Sequence, residues 1–250
     1  MKEIKIPNSE GKSIAAVIHY PEAKTERLSI LCPGYLDSKD YEHLITLAEA
    51  LVGRGYTVVR FNPIGTWTSD GDISEYNNTQ YLKDIKSVLE YMLREGNYQH
   101  VLLGGHSRGG QVSILYAARD SRISLVVGIM PSSGPVTGQR REEWKRDGFS
   151  VSKRNIPGKV ETIEFKVPFS HVLDRDKYDV VEDVKKVHVT VIFIAGELDI
   201  LVPPKDVKEI FDNANEPKKF ILIKGIDHEY RHNPPEVQLV NEKIMKALPA

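Results

Sequence analysis

Apolar positions along the chain follow two alternating rhythms. Short, nearly continuous runs rich in Val, Ile and Leu recur at "RLSILC", "YTVVRF", "HVLLGG", "ISLVVGIM", "HVTVIFIAG" and "KKFILIKG", each short enough for a strand. Between them "HLITLAEALVGRG", "YLKDIKSVLEYMLREG" and "GQVSILYAARD" repeat apolar residues at helical spacing, as do stretches near Val207–Asn213 and Val237–Ala247. Gly53 and Gly55 stop the first of these helices. Strands joined through helices imply parallel β-α-β units, because a parallel pair needs a long crossover. Continuous apolar strands fit a sheet covered by helices on both faces. The start differs: "KEIKI" and "SIAAVIHY" flank the turn signals Pro7, Asn8 and Gly11 and predict an antiparallel hairpin. The expected fold class is therefore α/β, a mostly parallel sheet with an antiparallel N-terminal hairpin.

Residues 131–187 break this rhythm, since they separate two expected strands that one helix could join. A connection of that length carries structure of its own. It is expected to form a cap or lid inserted into a single domain spanning residues 1–250, covering one end of the sheet. Within it, "GQRREEWKRDG" is charged around Trp144, its mixed-sign run Arg140-Arg141-Glu142-Glu143 reading most simply as a solvated helical face, while "VSKRNIPGKVETIEFKV" alternates only patchily.

Composition narrows the partners. With 34 basic and 35 acidic residues, a formal charge of −1 provides no global field for nucleic acid or an anionic membrane. No apolar run approaches the ~20 residues of a membrane helix, and the N-terminus lacks the pattern of a cleaved signal. Cys32 is the only cysteine, which precludes an intrachain disulfide and the usual cysteine-based zinc patterns. A soluble, cytoplasmic protein acting on small molecules is expected; the oligomeric state is not readable.

The candidate chemistry begins at "VLLGGHSRGGQVSILYA", where an apolar run meets a helical pattern. The glycines do not form a dinucleotide fingerprint, because His106 stands where its second glycine is required. Nor do they form a phosphate loop, since no lysine follows Gly109 or Gly110. Gly105-His106-Ser107-Arg108-Gly109 does fit G-x-S-x-G between strand and helix, a turn whose serine hydroxyl is exposed and whose flanking positions tolerate only small residues. The competing reading is a glycine-rich loop whose serine merely caps the helix.

A nucleophilic serine needs a base and an acid that orients it. Asp199 in "GELDILVPP" and His228 in "GIDHEY" each follow an expected strand, and the C-terminal ends of parallel strands share one side of a sheet. Glu197 competes with Asp199 and His232 with His228; the order serine, acid, histidine favours Asp199, and the position directly after a strand favours His228. His106 is expected to pack beside the turn. No H-x-x-x-H pair is present, so no metal site is expected.

These three motifs, in this order, resemble the α/β-hydrolase superfamily over nearly the whole chain, and within it small esterases of the feruloyl or cinnamoyl esterase and acyl-hydrolase type. The resemblance implies an α/β-hydrolase fold with Ser107 as nucleophile, His228 as base and Asp199 as its partner. It implies an oxyanion hole from the backbone N–H groups of Tyr35, in "ILCPGYLDSKD", and Arg108, with Pro33 in place of the usual histidine. "RFNPIGTWTSDGD" matches a family segment in which Trp67 occupies a glycine position, so its ring either walls the site or packs against the cap. Trp144 carries the same pair of readings. Cys32 reads as a buried small residue. The implied activity is cofactor-free hydrolysis of a carboxylic ester by a serine esterase, through an acyl-enzyme. The same residues would serve an acyltransferase or thioesterase, and a non-catalytic ligand-binding protein on this fold is the remaining alternative.

Overall fold

The computed structural model describes residues 1–249. Eight strands form one sheet: β1 (Lys2–Pro7), β2 (Ser13–His19), β3 (Arg27–Cys32), β4 (Thr57–Phe61), β5 (His100–His106), β6 (Leu125–Ile129), β9 (Thr190–Gly196) and β10 (Lys218–Ile223). Their spatial order is β1-β2-β4-β3-β5-β6-β9-β10. β1 pairs antiparallel with β2 and β2 with β4, while every pair from β4 to β10 is parallel. The antiparallel start and parallel body expected from the apolar pattern are both present.

Side chains alternate between two cores. Leu103, Val126, Val191 and Phe193 point to the face covered by α2 (Asn78–Glu95), α3 (Arg108–Ala117) and α7 (Pro204–Asn213). Leu102, Val127, Ile192 and Ile194 point to the other, under α1 (Glu42–Val52) and α8 (Pro234–Ala247). Burial on both faces accounts for strands without polar alternation. From β3 the chain runs outward to β4 and then returns across β3 to β5, so the strand order reverses there. Ligands in open α/β sheets bind outside the carboxyl ends of strands at such a reversal.

Residues 131–187 contain α4 (Gly138–Asp147), the strands β7 (Phe149–Asn155) and β8 (Thr162–Pro168), α5 (Ser170–Arg175) and α6 (Val180–Val184). β7 and β8 pair as a separate antiparallel ribbon. The ribbon lies near the loop after β3: Tyr41 donates to the Asn155 carbonyl at 3.0 Å and Arg154 to that of Tyr35 at 3.2 Å. α6 instead docks on α3 and α7, with Val180 and Val184 in the core, and so joins the helical layer of the body. Among the described residues no helix is long and apolar enough to cross a membrane.

Candidate active site

Cys32, at the end of β3, explains the glycines. A Cβ on Gly105 or Gly109 would fall well inside van der Waals contact with the Cys32 carbonyl oxygen. Close approach of β3, β5 and α3 therefore requires hydrogen at both positions. Between them Ser107 takes φ 53° and ψ −114°, a conformation that side-chain-bearing residues rarely adopt, fixed by its N–H donating to the Ile129 carbonyl at 2.8 Å. Although Ser107 occupies the N-cap position of α3, its side chain makes no capping bond. The helix-cap reading is thereby set aside. Cys32 itself is buried and its thiol is pushed up to about 12 by burial, as expected of a packed small residue.

The Ser107 hydroxyl instead meets His228, whose Nε2 lies 2.9 Å from Oγ. His228 Nδ1 lies 2.7 Å from Asp199 Oδ2. Asp199 Oδ1 accepts from the backbone N–H groups of Leu201 at 2.9 Å and Val202 at 2.7 Å. An ionised carboxylate only accepts, so Nδ1 carries the proton and Nε2 is free to accept from the serine. Side chains from positions 107, 199 and 228 converge because β5, β9 and β10 end on the same edge of the sheet. The two later loops are sewn together: Leu198 N–H donates to the Ile226 carbonyl at 2.9 Å, and Gly225 N–H to Glu197 Oε2 at 3.0 Å. Glu197 is thus occupied as a loop tie. His232 is exposed and faces Glu229 at 3.1 Å.

His106 packs beside this row, its ring 4.5 Å from that of His228. Burial, and secondarily the neighbouring His228, hold it well below the ordinary histidine range. Asp37, His43 and His106 bring ligand-type atoms within 4.8 Å of one another, a juxtaposition that sequence spacing does not reveal. Asp37 already bonds the Arg231 guanidinium, which supplies positive charge at that carboxylate.

Tyr35 and Arg108 flank the serine, and the backbone N–H of neither has an acceptor among the described residues. The loop that would ordinarily be anchored by a histidine at Pro33 is held by two tyrosines. Tyr81 donates to the Pro33 carbonyl at 2.8 Å, and Tyr76 Oη accepts from Leu36 N–H at 3.1 Å.

A cavity of about 200 Å³ opens over Ser107 and His228. Trp144 forms part of its wall, buried, stacked on His171 at 5.6 Å and donating its indole N–H to the Val167 carbonyl at 2.9 Å. Trp67 is not in that wall. It is half-buried with φ 52°, donates to the Leu36 carbonyl at 3.2 Å, and meets Phe165 of β8 edge-on at 5.4 Å. Of its two readings, packing against residues 131–187 is the one observed, and the positive φ explains why the family segment carries glycine there. Arg140 is exposed, as expected of a solvated face of α4, and also lines the cavity, as do His171, Arg154 and Arg175 from the same inserted segment. No sequence motif marks these four residues.

The sequence profile of a family described as alpha/beta hydrolase fold matches residues 30–147. The mitochondrial palmitoyl-protein thioesterase ABHD10 of Rattus norvegicus is 25% identical over 213 residues, covering 81% of this chain and 69% of that protein. Among solved structures, Est1E from Butyrivibrio proteoclasticus with ferulic acid bound superposes with a TM-score of 0.78 at 22% identity, over 97% of this chain and 96% of that one. Mouse alpha/beta hydrolase domain-containing protein 10 does so with a TM-score of 0.75 at 20% identity, over 98% of each chain. At these identities the superpositions establish a shared fold.

Proposed function

Taking as premise that this is an α/β-hydrolase-fold chain similar to esterases and to a thioesterase, we propose that it hydrolyses a carboxylic ester through an acyl-enzyme on Ser107. The observation that carries this reading is the unbroken hydrogen-bonded row from Ser107 through His228 to Asp199, whose first two members line a cavity.

In the first half-reaction Ser107 Oγ attacks the ester carbonyl while His228 Nε2 takes its proton. Asp199 stabilises the imidazolium so formed, and its two backbone bonds keep its other oxygen from turning. Negative charge on the tetrahedral oxygen is received by the N–H groups of Tyr35 and Arg108. Fixed donors of this kind are worth about 3 kcal/mol each when one is lost. His228 then passes its proton to the departing alkoxide, leaving the acyl group on Ser107. Water, deprotonated by the same nitrogen, releases the acid and restores the serine. The substrate in this reading is a small molecule, and no step calls for a cofactor.

A thioester is the second reading, favoured by the thioesterase among the similar proteins. Both share the acyl-enzyme and differ in the leaving group. A cavity of about 200 Å³ lies below the range typical of drug-sized pockets, roughly 300–1,000 Å³, and favours short acyl groups in either case. The test is a panel of acetyl, butyryl, octanoyl, palmitoyl and cinnamoyl p-nitrophenyl esters alongside acetyl, butyryl and palmitoyl thioesters, each with the wild type and Ser107→Ala. Turnover of short esters that vanishes in the variant supports the proposal. Turnover unchanged in the variant overturns it, and turnover confined to thioesters selects the second reading.

A further inference from the structure

We infer that the cavity over Ser107 selects an ester bearing its own negative charge, a carboxylate or phosphate seated among Arg108, Arg140, Arg154 and Arg175; this rests on the hydrolase reading above. Five arginines line a space of about 200 Å³. One is neutralised within the protein: Arg231 bonds both Asp37 and Glu229, the only acids in the same lining. Among the described residues the other four make no ion pair; outside the cavity Arg60, Arg119, Arg122, Arg141 and Arg146 each have a carboxylate, while Arg27, Arg54 and Arg94 have none there.

The partners these four do have are neutral. Arg108 is 1% exposed, and its guanidinium donates to Asn78 Oδ1 at 2.6 Å and His171 Nε2 at 2.7 Å. His171 is committed to that neutral acceptor role, because its Nδ1–H donates to the Tyr76 carbonyl at 2.7 Å. The Nε of Arg108 is buried without a partner, and so is that of Arg154. Arg175 reaches the Gly134 carbonyl at 2.8 Å and Ser132 Oγ at 2.5 Å. Arg140 lies 5.9 Å from the centre of the Trp144 ring. Arg108 is buried, Arg154 and Arg175 are half-buried and Arg140 is exposed at the mouth. Gathering like charges around one small space with no counter-charge is costly, and a ligand anion would relieve it. Their mutual repulsion registers on Arg175, pushed down to about 9 first by burial and then by Arg108 and Arg140.

The cluster adjoins the reacting atoms. Arg108 follows Ser107 in the chain, and Ser132, which receives Arg175, donates its N–H to the Ser107 carbonyl at 3.1 Å. Guanidinium groups recognise carboxylate and phosphate through paired N–H donors, and the Nε–H groups of Arg108 and Arg154 have no acceptor within the protein. Arg140, Arg154 and Arg175 come from α4, β7 and α5, so the inserted segment would impose the charge preference on a shared hydrolytic core.

The test compares substrates matched in size and different in charge. 4-Nitrophenyl hydrogen glutarate against its methyl ester places the charge on the acyl side; 4-acetoxybenzoate against its methyl ester, and 4-acetoxyphenyl phosphate, place it on the leaving side as carboxylate or phosphate. Rates with Ser107→Ala are subtracted as background. The expected result is kcat/KM at least about tenfold higher for one anion than for its neutral match, with that ratio falling about fivefold or more in Arg140→Met and Arg175→Met. Arg140 is exposed, so its variant keeps the test open if Arg175→Met does not fold. Neutral esters cleaved as well as or better than every anion would overturn the inference and leave the hydrolase reading standing. If no ester is cleaved and Ser107 takes up no acyl group, the hydrolase reading fails. Calorimetric titration of Ser107→Ala with glutarate, 4-hydroxybenzoate and inorganic phosphate then decides: saturable binding weakened by the added Arg140→Met change supports an anion site, and no binding overturns it.

Discussion

Asp199→Asn isolates the contribution of one atom. Asp199 Oδ1 accepts two backbone N–H groups while Oδ2 faces His228 Nδ1. An asparagine can be seated only one way, because turning its NH₂ toward the Leu201 and Val202 N–H groups would set donors against donors. The amide oxygen therefore stays on the backbone side and the NH₂ faces Nδ1. To accept from it, the imidazole must move its proton to Nε2, where it points at Ser107 and can no longer take the serine's hydrogen. The wrong tautomer at this position of a serine triad costs about 10⁴ in kcat, or about 5 kcal/mol of barrier. The fold should hold, since the backbone bonds survive and only a bond to a charged acceptor changes, worth about 1.5–3 kcal/mol. The assay is the acylation rate with p-nitrophenyl acetate, alongside thermal unfolding. A properly folded variant within tenfold of wild type would refute the role of Asp199 in fixing the imidazole.

Gly109→Val should abolish soluble expression or cost about 3 kcal/mol or more, because its new atoms meet the backbone oxygens of Cys32 and Pro33, which cannot rotate away; chemical denaturation of purified protein checks this, and wild-type stability would contradict it. His43 is held down to about 4, chiefly by burial, against about 6.5 when unfolded. A depressed histidine contributes stability that is complete above pH 6.5 and is lost as pH falls toward 4, at most about 3 kcal/mol by linkage. Urea unfolding at pH 7.5, 6 and 5 should show that decline, smaller in His43→Leu; a decline as steep in the variant would contradict it. In the acyl-chain panel, kcat/KM should fall from butyryl to palmitoyl, as the cavity of about 200 Å³ requires, and a palmitoyl optimum would show that the cavity opens further in solution.

The eight-stranded sheet and the Ser107, Asp199 and His228 positions were readable because each rests on a local signal: continuous apolar runs, a glycine-flanked serine, polar residues directly after strands. Gly105 and Gly109 announce the close passage of β3 without naming Cys32 as the residue approached. What was not readable depends on contacts distant in sequence. The loop at Pro33 is held by Tyr76 and Tyr81, more than 40 positions away, and neither residue type signals an anchor. The alternation of β7 is weak, whereas β8 sets Ile163, Phe165 and Val167 in regular alternation with charged residues, a strand signal present in the sequence but preceded by an irregular stretch. Arg140 and Arg175 look like surface charge in any window of sequence, and only the fold of residues 131–187 sets them at the rim and wall of one cavity. Trp67 is a departure from the family pattern that sequence leaves open between a site wall and packing against the cap, and its contacts with Phe165 and the Leu36 carbonyl are packing.

Whether Ser107 is the nucleophile is read most plainly by intact-mass spectrometry after treatment with diethyl p-nitrophenyl phosphate. One diethylphosphoryl group per chain is expected, mapped to the peptide carrying Ser107, absent in Ser107→Ala and formed far more slowly in His228→Ala. A wild-type protein that remains unmodified, or that carries the group on another residue, would contradict that role.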